Sequence, residues 1–298
     1  MNKLQGIIIS GFGGFYQVRL EDGRIINSKP RGRLKQRFDK IYAGDVVELS
    51  LAGDGAGIIE TIAERRRSLN RPHIANVDQI LIVLSWRLPD YDLLLLDRML
   101  IISRRLGVEP LICLNKLDLL AAGEEEQLSR LQSVYEQAGY AFYAFSATHG
   151  EGIDALRVRL RQGLTVMAGP SGVGKSSLLN ILIPGEQAEV GAVSERLRRG
   201  RHTTRYTRIL PLPNGGMIAD TPGFFIVELP EGMKPEELAA YYADFQRDEP
   251  CRFEGCLHEN EPDCAVKDAV NAGEIDRERY QRYLRLLTEI REREVKYR

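Results

Sequence analysis

The sequence lacks the features that would place it in a membrane or a secretory route. No run of about 18 apolar residues occurs, so no transmembrane helix is expected. The first residues, MNKLQGIIISGFGG, carry one Lys before a short apolar stretch that Gly soon interrupts. That makes a poor signal peptide and a reasonable first strand, and a cytoplasmic location is expected. Cysteine is scarce: there are 4 in 298 residues. Cys113 sits inside an apolar run and reads as core. Cys251, Cys256 and Cys264 crowd together with His258, which in a reducing compartment points to a metal rather than to disulfides. Net charge is nearly absent at −1, and 43% apolar with 28% charged residues is the composition of an ordinary globular chain.

The small net charge hides an asymmetry. Residues 1–72 hold 13 Lys/Arg against 8 Asp/Glu, residues 73–225 hold 16 of each, and residues 226–298 hold 12 against 18. The basic excess therefore lies at the N-terminus, where it would attract a nucleic acid; a solvated basic surface is the plain alternative.

Three segments follow. Residues 1–67 alternate short strands with Gly-containing turns, "EDGR" among them, and five strands in that length suggest a small oligonucleotide-binding (OB)-like barrel. Its basic stretch at 31–40 and its aromatics Phe12, Phe15 and Tyr16 would suit RNA, or the aromatics would fill the barrel core. "ERRRSLNRP" reads as a linker. In residues 68–226, the runs QILIVLS, EPLICLN, YAFYAFSA, LTVMAG, TRILPLP and GMIAD alternate with amphipathic stretches of helical length. This pattern indicates a doubly wound, mostly parallel sheet, with ligands beyond the carboxyl ends of its strands. Residues 227–298 read as mainly helical. In its last helix Tyr280, Tyr283, Leu284, Leu287 and Ile290 share one face, expected to pack on its own domain.

"LTVMAGPSGVGKSSLLNIL" sets a strand, then G-x-x-x-x-G-K-[ST], then a helix. In the loop formed by Gly169, Pro170, Ser171, Gly172, Val173 and Gly174, backbone N–H groups can converge on phosphates. Lys175 would face the β- and γ-phosphates. Ser176, followed by Ser177, would give its hydroxyl oxygen to Mg²⁺. "GMIADTPGFF" adds Asp220 for the Mg²⁺ shell and Gly223 for a γ-phosphate contact. NKLD (Asn115, Lys116, Leu117, Asp118) then selects the base. The Asp118 carboxylate can accept both N1–H and N2–H₂ of guanine, whereas adenine offers no such pair and would leave a buried acceptor unpaired. A plain turn with Asp118 as a helix N-cap is the alternative. Ser146 and Ala147, also after a strand, resemble the loop that meets guanine O6 and weaken that alternative.

All GTPase elements are therefore present in rotated order: NKLD and Ser146–Ala147 precede the phosphate loop. The expected fold class is α/β, with an N-terminal OB-like β-barrel, a central circularly permuted P-loop GTPase domain and a C-terminal mainly helical zinc-binding domain. The arginine-rich stretch before DTPG should be the first switch, with Thr203 or Thr204 reaching Mg²⁺. Phe224 stands where many GTPases place Gln to orient water, so slow intrinsic hydrolysis is expected. His202 is the nearest candidate to polarise that water, or else a loop or phosphate contact.

"CRFEGCLHENEPDC" spaces Cys251, Cys256, His258 and Cys264 as C-x₄-C-x-H-x₅-C. Three thiolates and one imidazole would satisfy Zn²⁺ in a closed tetrahedral site, structural rather than catalytic; three unrelated cysteines in a reducing compartment are the alternative. With the basic barrel, NKLD before GPSGVGKSS, GRHTT, DTPGF and this cluster in order, nearly the whole chain resembles the ribosome small-subunit-dependent GTPase A (RsgA) family. The resemblance implies a late-acting maturation factor for the 30S subunit. It implies GTP hydrolysis to GDP stimulated by the subunit and linked to release, with barrel and zinc domain contacting 16S rRNA. Arg205 stands where some relatives carry a third Thr, which leaves open the hydroxyl that meets Mg²⁺. Neither membrane nor DNA is expected as a partner, and a monomer is expected. The other readings are a GTP-regulated switch acting on a different RNA and an ATP-using P-loop enzyme, against which NKLD argues.

Overall fold

A computed structural model describes residues 3–32, 40–53, 55–70, 72–185, 207–220 and 228–296. The N-terminal strands β1 (Leu4–Phe12), β2 (Phe15–Leu20), β3 (Ile25–Pro30), β4 (Val46–Leu51) and β5 (Gly57–Ile62) close into a barrel of order β1-β2-β3-β5-β4. Alternation along the strands turns Ile8, Val18, Leu20, Val47, Leu49 and Ile59 inward. The same alternation turns Ile9 to the outer face of β1, where it joins the core of the neighbouring sheet; the β1–β2 register is irregular between Ile8 and Ser10. Of the three aromatics, Phe12 and Phe15 are exposed, while Tyr16 packs against the barrel core.

The stretch read as a linker is an ordered joint. The ribbon β6 (Ser68–Asn70) and β7 (His73–Ala75) follows the barrel. Arg65 Nε donates to the buried Asp45 at 2.7 Å, and its guanidinium lies 3.9 Å from the Tyr42 ring centroid. Asn76 Nδ2 donates to Gly44 O at 2.9 Å. Spacing alone could not show these contacts, because their partners lie on the other side of the joint.

The central sheet holds β8 (Gln79–Ser85), β9 (Glu109–Asn115), β10 (Ala141–Ala144), β11 (Leu164–Ala168), β12 (Arg208–Pro211) and β13 (Met217–Asp220), in the order β10-β9-β8-β11-β13-β12. All neighbours are parallel except β12, which runs antiparallel to β13. Strands β8 and β11 are buried at every residue because helices cover both faces. The helices are α1 (Leu93–Arg105), α2 (Glu125–Gln137), α3 (Ile153–Arg159) and α4 (Lys175–Leu182). Asp92 caps α1 by accepting from the N–H groups of Leu94 and Leu95. A turn at 160–163 joins α3 to the phosphate-loop strand β11, where an unpermuted domain would have its two ends. The chain instead enters the sheet at β8.

The C-terminal part contains α5 (Pro235–Leu238), α6 (Ala265–Asn271) and the long α7 (Arg277–Lys296). Tyr283, Leu286, Leu287 and Ile290 of α7 pack on Leu238, Tyr242 and Phe245, the expected packing of that face. Two of its arginines, Arg279 and Arg282, reach the sheet domain. Arg282 Nε donates to Asp97 of α1 at 2.6 Å. Arg279 is held by Asp97 and, at 2.9 Å, by Asp244.

Candidate nucleotide site and metal centre

Because β9, β10, β11 and β13 are parallel members of one sheet, the loops after them open at one edge. The phosphate loop leaves β11 through Gly169 at φ +146°, where a Cβ would lie 2.1 Å from Val83 O. Only glycine permits that departure. Pro170, Ser171, Gly172 and Val173 continue the turn, with Val173 buried among Leu178 and Leu179. Gly174 has φ +95°, and a Cβ there would sit 2.2 Å from Asn115 Nδ2. Helix α4 starts at Lys175, with Ser176 and Ser177 in its first turn, and its N-terminus faces the loop. Lys175 Nζ donates to Gly169 O at 2.8 Å and to Pro170 O at 2.6 Å. Burial lowers the pKa of this ammonium from its ordinary value.

Asn115, at the end of β9, joins three loops through one buried amide. Its Nδ2 donates to Val173 O at 2.9 Å, and its Oδ1 accepts from the Ala147 N–H at 2.9 Å. Lys116 follows at φ +65° and donates through Nζ to Leu88 O. Leu117 and Asp118 lie in a short 3₁₀ turn (Leu117–Leu119). Asp118 is inside that turn, so the N-cap alternative fails. Its carboxylate accepts from Ser146 Oγ at 2.6 Å, and Ser146 Oγ accepts in turn from the His149 N–H at 3.3 Å. Asp220 closes β13, next to β11 in the sheet. Gly223, His202, Thr203 and Thr204 lie outside the described residues, as do Arg205 and Phe224.

The site also contains a segment that motif reading missed. Trp86, Arg87, Leu88 and Pro89 follow β8 at the same edge. Pro89 Cδ lies 3.5 Å from where a Cβ of Gly172 would stand. A Pro-Asp turn at the end of a parallel strand was the available signal.

In the C-terminal part, Cys251, Cys256, His258 and Cys264 turn their ligand atoms inward, all within 4.8 Å of one another. Cys264 Sγ lies 3.8 Å from both Cys251 Sγ and Cys256 Sγ, and His258 Nδ1 lies 3.5 and 3.3 Å from Cys251 Sγ and Cys264 Sγ. A tetrahedron with Zn–S of about 2.3 Å has an S···S edge of about 3.8 Å, whereas a disulfide needs about 2.05 Å. The donors thus fit a tetrahedral metal. Burial pushes the Cys256 thiol up to about 12 and lowers the His258 imidazole, so the histidine is set to bind as a neutral ligand. Tyr280 and Tyr283 of α7 brace the loop by donating to His258 O at 2.6 Å and Leu257 O at 2.8 Å.

Comparison with known proteins extends over the full chain. The family model described as RsgA GTPase matches residues 62–230, and that described as RsgA N-terminal domain matches residues 5–59. A "Small ribosomal subunit biogenesis GTPase RsgA" from Caldanaerobacter subterraneus is 42% identical, covering 99% of this chain and 98% of its own. One from Moorella thermoacetica is 43% identical, covering 98% and 99%. The crystal structure of YjeQ from Thermotoga maritima superposes with a TM-score of 0.85 at 35% identity, covering 97% of this chain and 99% of that one. YloQ, described as a circularly permuted GTPase, gives 0.81 at 33% identity, covering 98% and 96%.

Proposed function

The chain belongs to the RsgA GTPase family, and on that premise we propose a GTP hydrolase that acts late in maturation of the 30S ribosomal subunit. It binds the subunit through 16S rRNA, hydrolyses GTP to GDP and phosphate when the subunit stimulates it, and leaves on hydrolysis. The observation that carries the nucleotide reading is the Asn115 amide, which ties the phosphate loop to the Ser146–Ala147 loop beside Asp118. Asp118 reads the guanine edge, the Ala147 loop meets O6, and the loop from Gly169 to Gly174 holds the phosphates with Lys175. The Lys175 bonds to Gly169 O and Pro170 O would be exchanged for phosphate oxygens.

Ser176, a hydroxyl in the first turn of α4, and Asp220, a carboxylate at the end of β13, suit a hard cation. They would hold Mg²⁺ together with a switch threonine, Thr203 or Thr204. When bound, that ion neutralises charge on the β- and γ-phosphates. His202 is the proposed water-polarising group, and Gly223 the γ-phosphate contact. Zn²⁺ is the proposed metal of Cys251, Cys256, His258 and Cys264, in a structural role. The domains divide at 1–67, 68–226 and 227–298, and the protein is a cytoplasmic monomer with RNA rather than DNA as its nucleic-acid partner.

The exposed Phe12 and Phe15, with Lys29 Nζ 4.3 Å from the Phe15 ring centroid, favour an RNA-facing barrel without specifying the RNA. A switch acting on another RNA is therefore the second reading. GTP hydrolysis measured alone and with 30S subunits, 50S subunits or bulk RNA separates the two. A slow basal rate raised by 30S alone is expected. Equal stimulation by every RNA would replace the 30S assignment with the second reading. No helix among the described residues is long and apolar enough to cross a membrane.

A further inference from the structure

The segment after β8 forms a loop of contacts with the base reader that the established motifs do not include. Leu88 holds φ +54°, a conformation costly for a branched apolar residue unless its surroundings enforce it. Hydrogen bonds on both sides of Leu88 supply that enforcement. The Trp86 N–H donates to Asn115 O at 2.8 Å, and Ser85 Oγ donates to Pro89 O at 2.6 Å. Glu124, just before α2, gathers the rest. Its carboxylate accepts from Trp86 Nε1 at 3.0 Å, from the Ala121 N–H at 2.9 Å and from the Arg87 guanidinium. Trp86 is 3% exposed, while Leu88 is 73% exposed. The carbonyl that this framework presents, Leu88 O, receives Lys116 Nζ.

We propose that Glu124 is a positioning residue for guanine-nucleotide binding: it fixes residues 86–89, whose Leu88 carbonyl holds the Lys116 side chain in the conformation that receives the nucleotide. The inference rests on the reading of NKLD as the base site. Lysine has the largest rotamer freedom of any side chain near the base, and a free Lys116 would lose it on each binding event. Holding the head group beforehand removes that cost. Glu124 bonds Trp86, Arg87 and Ala121 on the base side, whereas Pro89, which lies beside Gly172 of the phosphate loop, is held by Ser85 Oγ, so the chemical step should not sense Glu124.

The test is GDP binding by calorimetry and steady-state GTP hydrolysis with saturating 30S subunits, on the full chain and its Glu124→Ala and Glu124→Gln variants. Glu124→Ala should raise Kd and KM by roughly three- to tenfold with kcat unchanged, and should lower Tm modestly because the buried Trp86 N–H loses its acceptor. Glu124→Gln, which keeps one acceptor, should lie between it and the parent. The emission of Trp86, the one tryptophan of the chain, should shift in Glu124→Ala as its N–H partner is lost. An unaltered Kd in Glu124→Ala overturns the proposal. If that variant loses Tm and kcat together, Trp86→Phe decides, since it keeps an aromatic ring and deletes only the N–H: a raised KM at constant kcat supports the proposal, and an unaltered KM overturns it. Failure of the parent protein to bind GDP would instead remove the guanine-nucleotide reading, and this proposal with it.

Discussion

At the scale of single residues, the proposed base choice rests on the chemistry of one carboxylate. Asp118 can accept two hydrogen bonds from guanine, and Ser146 Oγ at 2.6 Å orients it. Asp118→Asn replaces one acceptor with an N–H₂ donor, which opposes the guanine 2-amino group and suits the 2-carbonyl of xanthine. GDP affinity should fall by at least about a hundredfold and XDP affinity should rise, as a mismatched polar group in a base pocket demands. Competition binding with the two nucleotides checks this, and a variant that still prefers GDP would remove Asp118 from base reading. Gly174 is sensitive for a steric reason. Gly174→Ala places a methyl 2.2 Å from Asn115 Nδ2 at φ +95°, so the bond from Asn115 to Val173 O cannot persist. Nucleotide binding should drop below detection by calorimetry while far-UV circular dichroism stays native, because the displaced contact is a buried side-chain bond between loops and removes no backbone bond of the sheet or helices.

At the scale of elements, the strands and the metal cluster were legible in the sequence, and the contacts between them were not. The runs QILIVLS, EPLICLN and LTVMAG became β8, β9 and β11 because burial on both faces favours apolar residues there, polar ones entering only with a partner, as Gln79 does by donating to Thr165 Oγ1 at 2.7 Å. The Cys/His spacing announced four donors that converge within 4.8 Å. In contrast, the tie from Asn115 to Val173 and Ala147 joins residues 58 and 32 positions apart, and no local pattern encodes such a partner. The same holds for Glu124 and Trp86, 38 positions apart. The metal loop is the element with least core of its own, so its ordering should depend on the ion. Removing metal with a strong chelator, or Cys256→Ser, should free the carbonyls of Leu257 and His258 from Tyr283 and Tyr280. Hydrogen exchange should then rise across residues 251–264 while β8 and β11 stay protected. Unchanged exchange across that loop after metal analysis had shown complete removal would mean that the protein alone orders it.

At the scale of the whole molecule, the domains are joined by packed, charged and specific contacts. On one side Ile9 crosses from the barrel into the core of the sheet, and Arg65 meets Asp45. On the other, α7 binds α1 through Asp97, which is fully buried and accepts from Arg279, from Arg282 at 2.6 Å and from Tyr135 Oη at 3.1 Å. The Arg279 guanidinium also faces the Tyr242 ring, 4.7 Å from its centroid. Farther along α7, Glu289 bonds Arg98 at 2.8 Å, and Arg293 donates to Leu229 O at 3.0 Å. The helix that braces the metal loop is therefore also fixed to the chain segment emerging after DTPG. Asp97→Ala would leave two cations at this joint with one carboxylate, Asp244, on Arg279 and none on Arg282. Breaking a buried pair from one side costs about 3–5 kcal/mol, whereas Asp97→Asn, still an acceptor, should cost less. Thermal unfolding should show the larger loss for Asp97→Ala, and limited proteolysis should cut between the sheet domain and α7 in that variant first. Equal midpoints for both variants and the parent would mean that apolar packing around Ile101, Tyr242 and Leu286, and not the charge cluster, holds the two domains together.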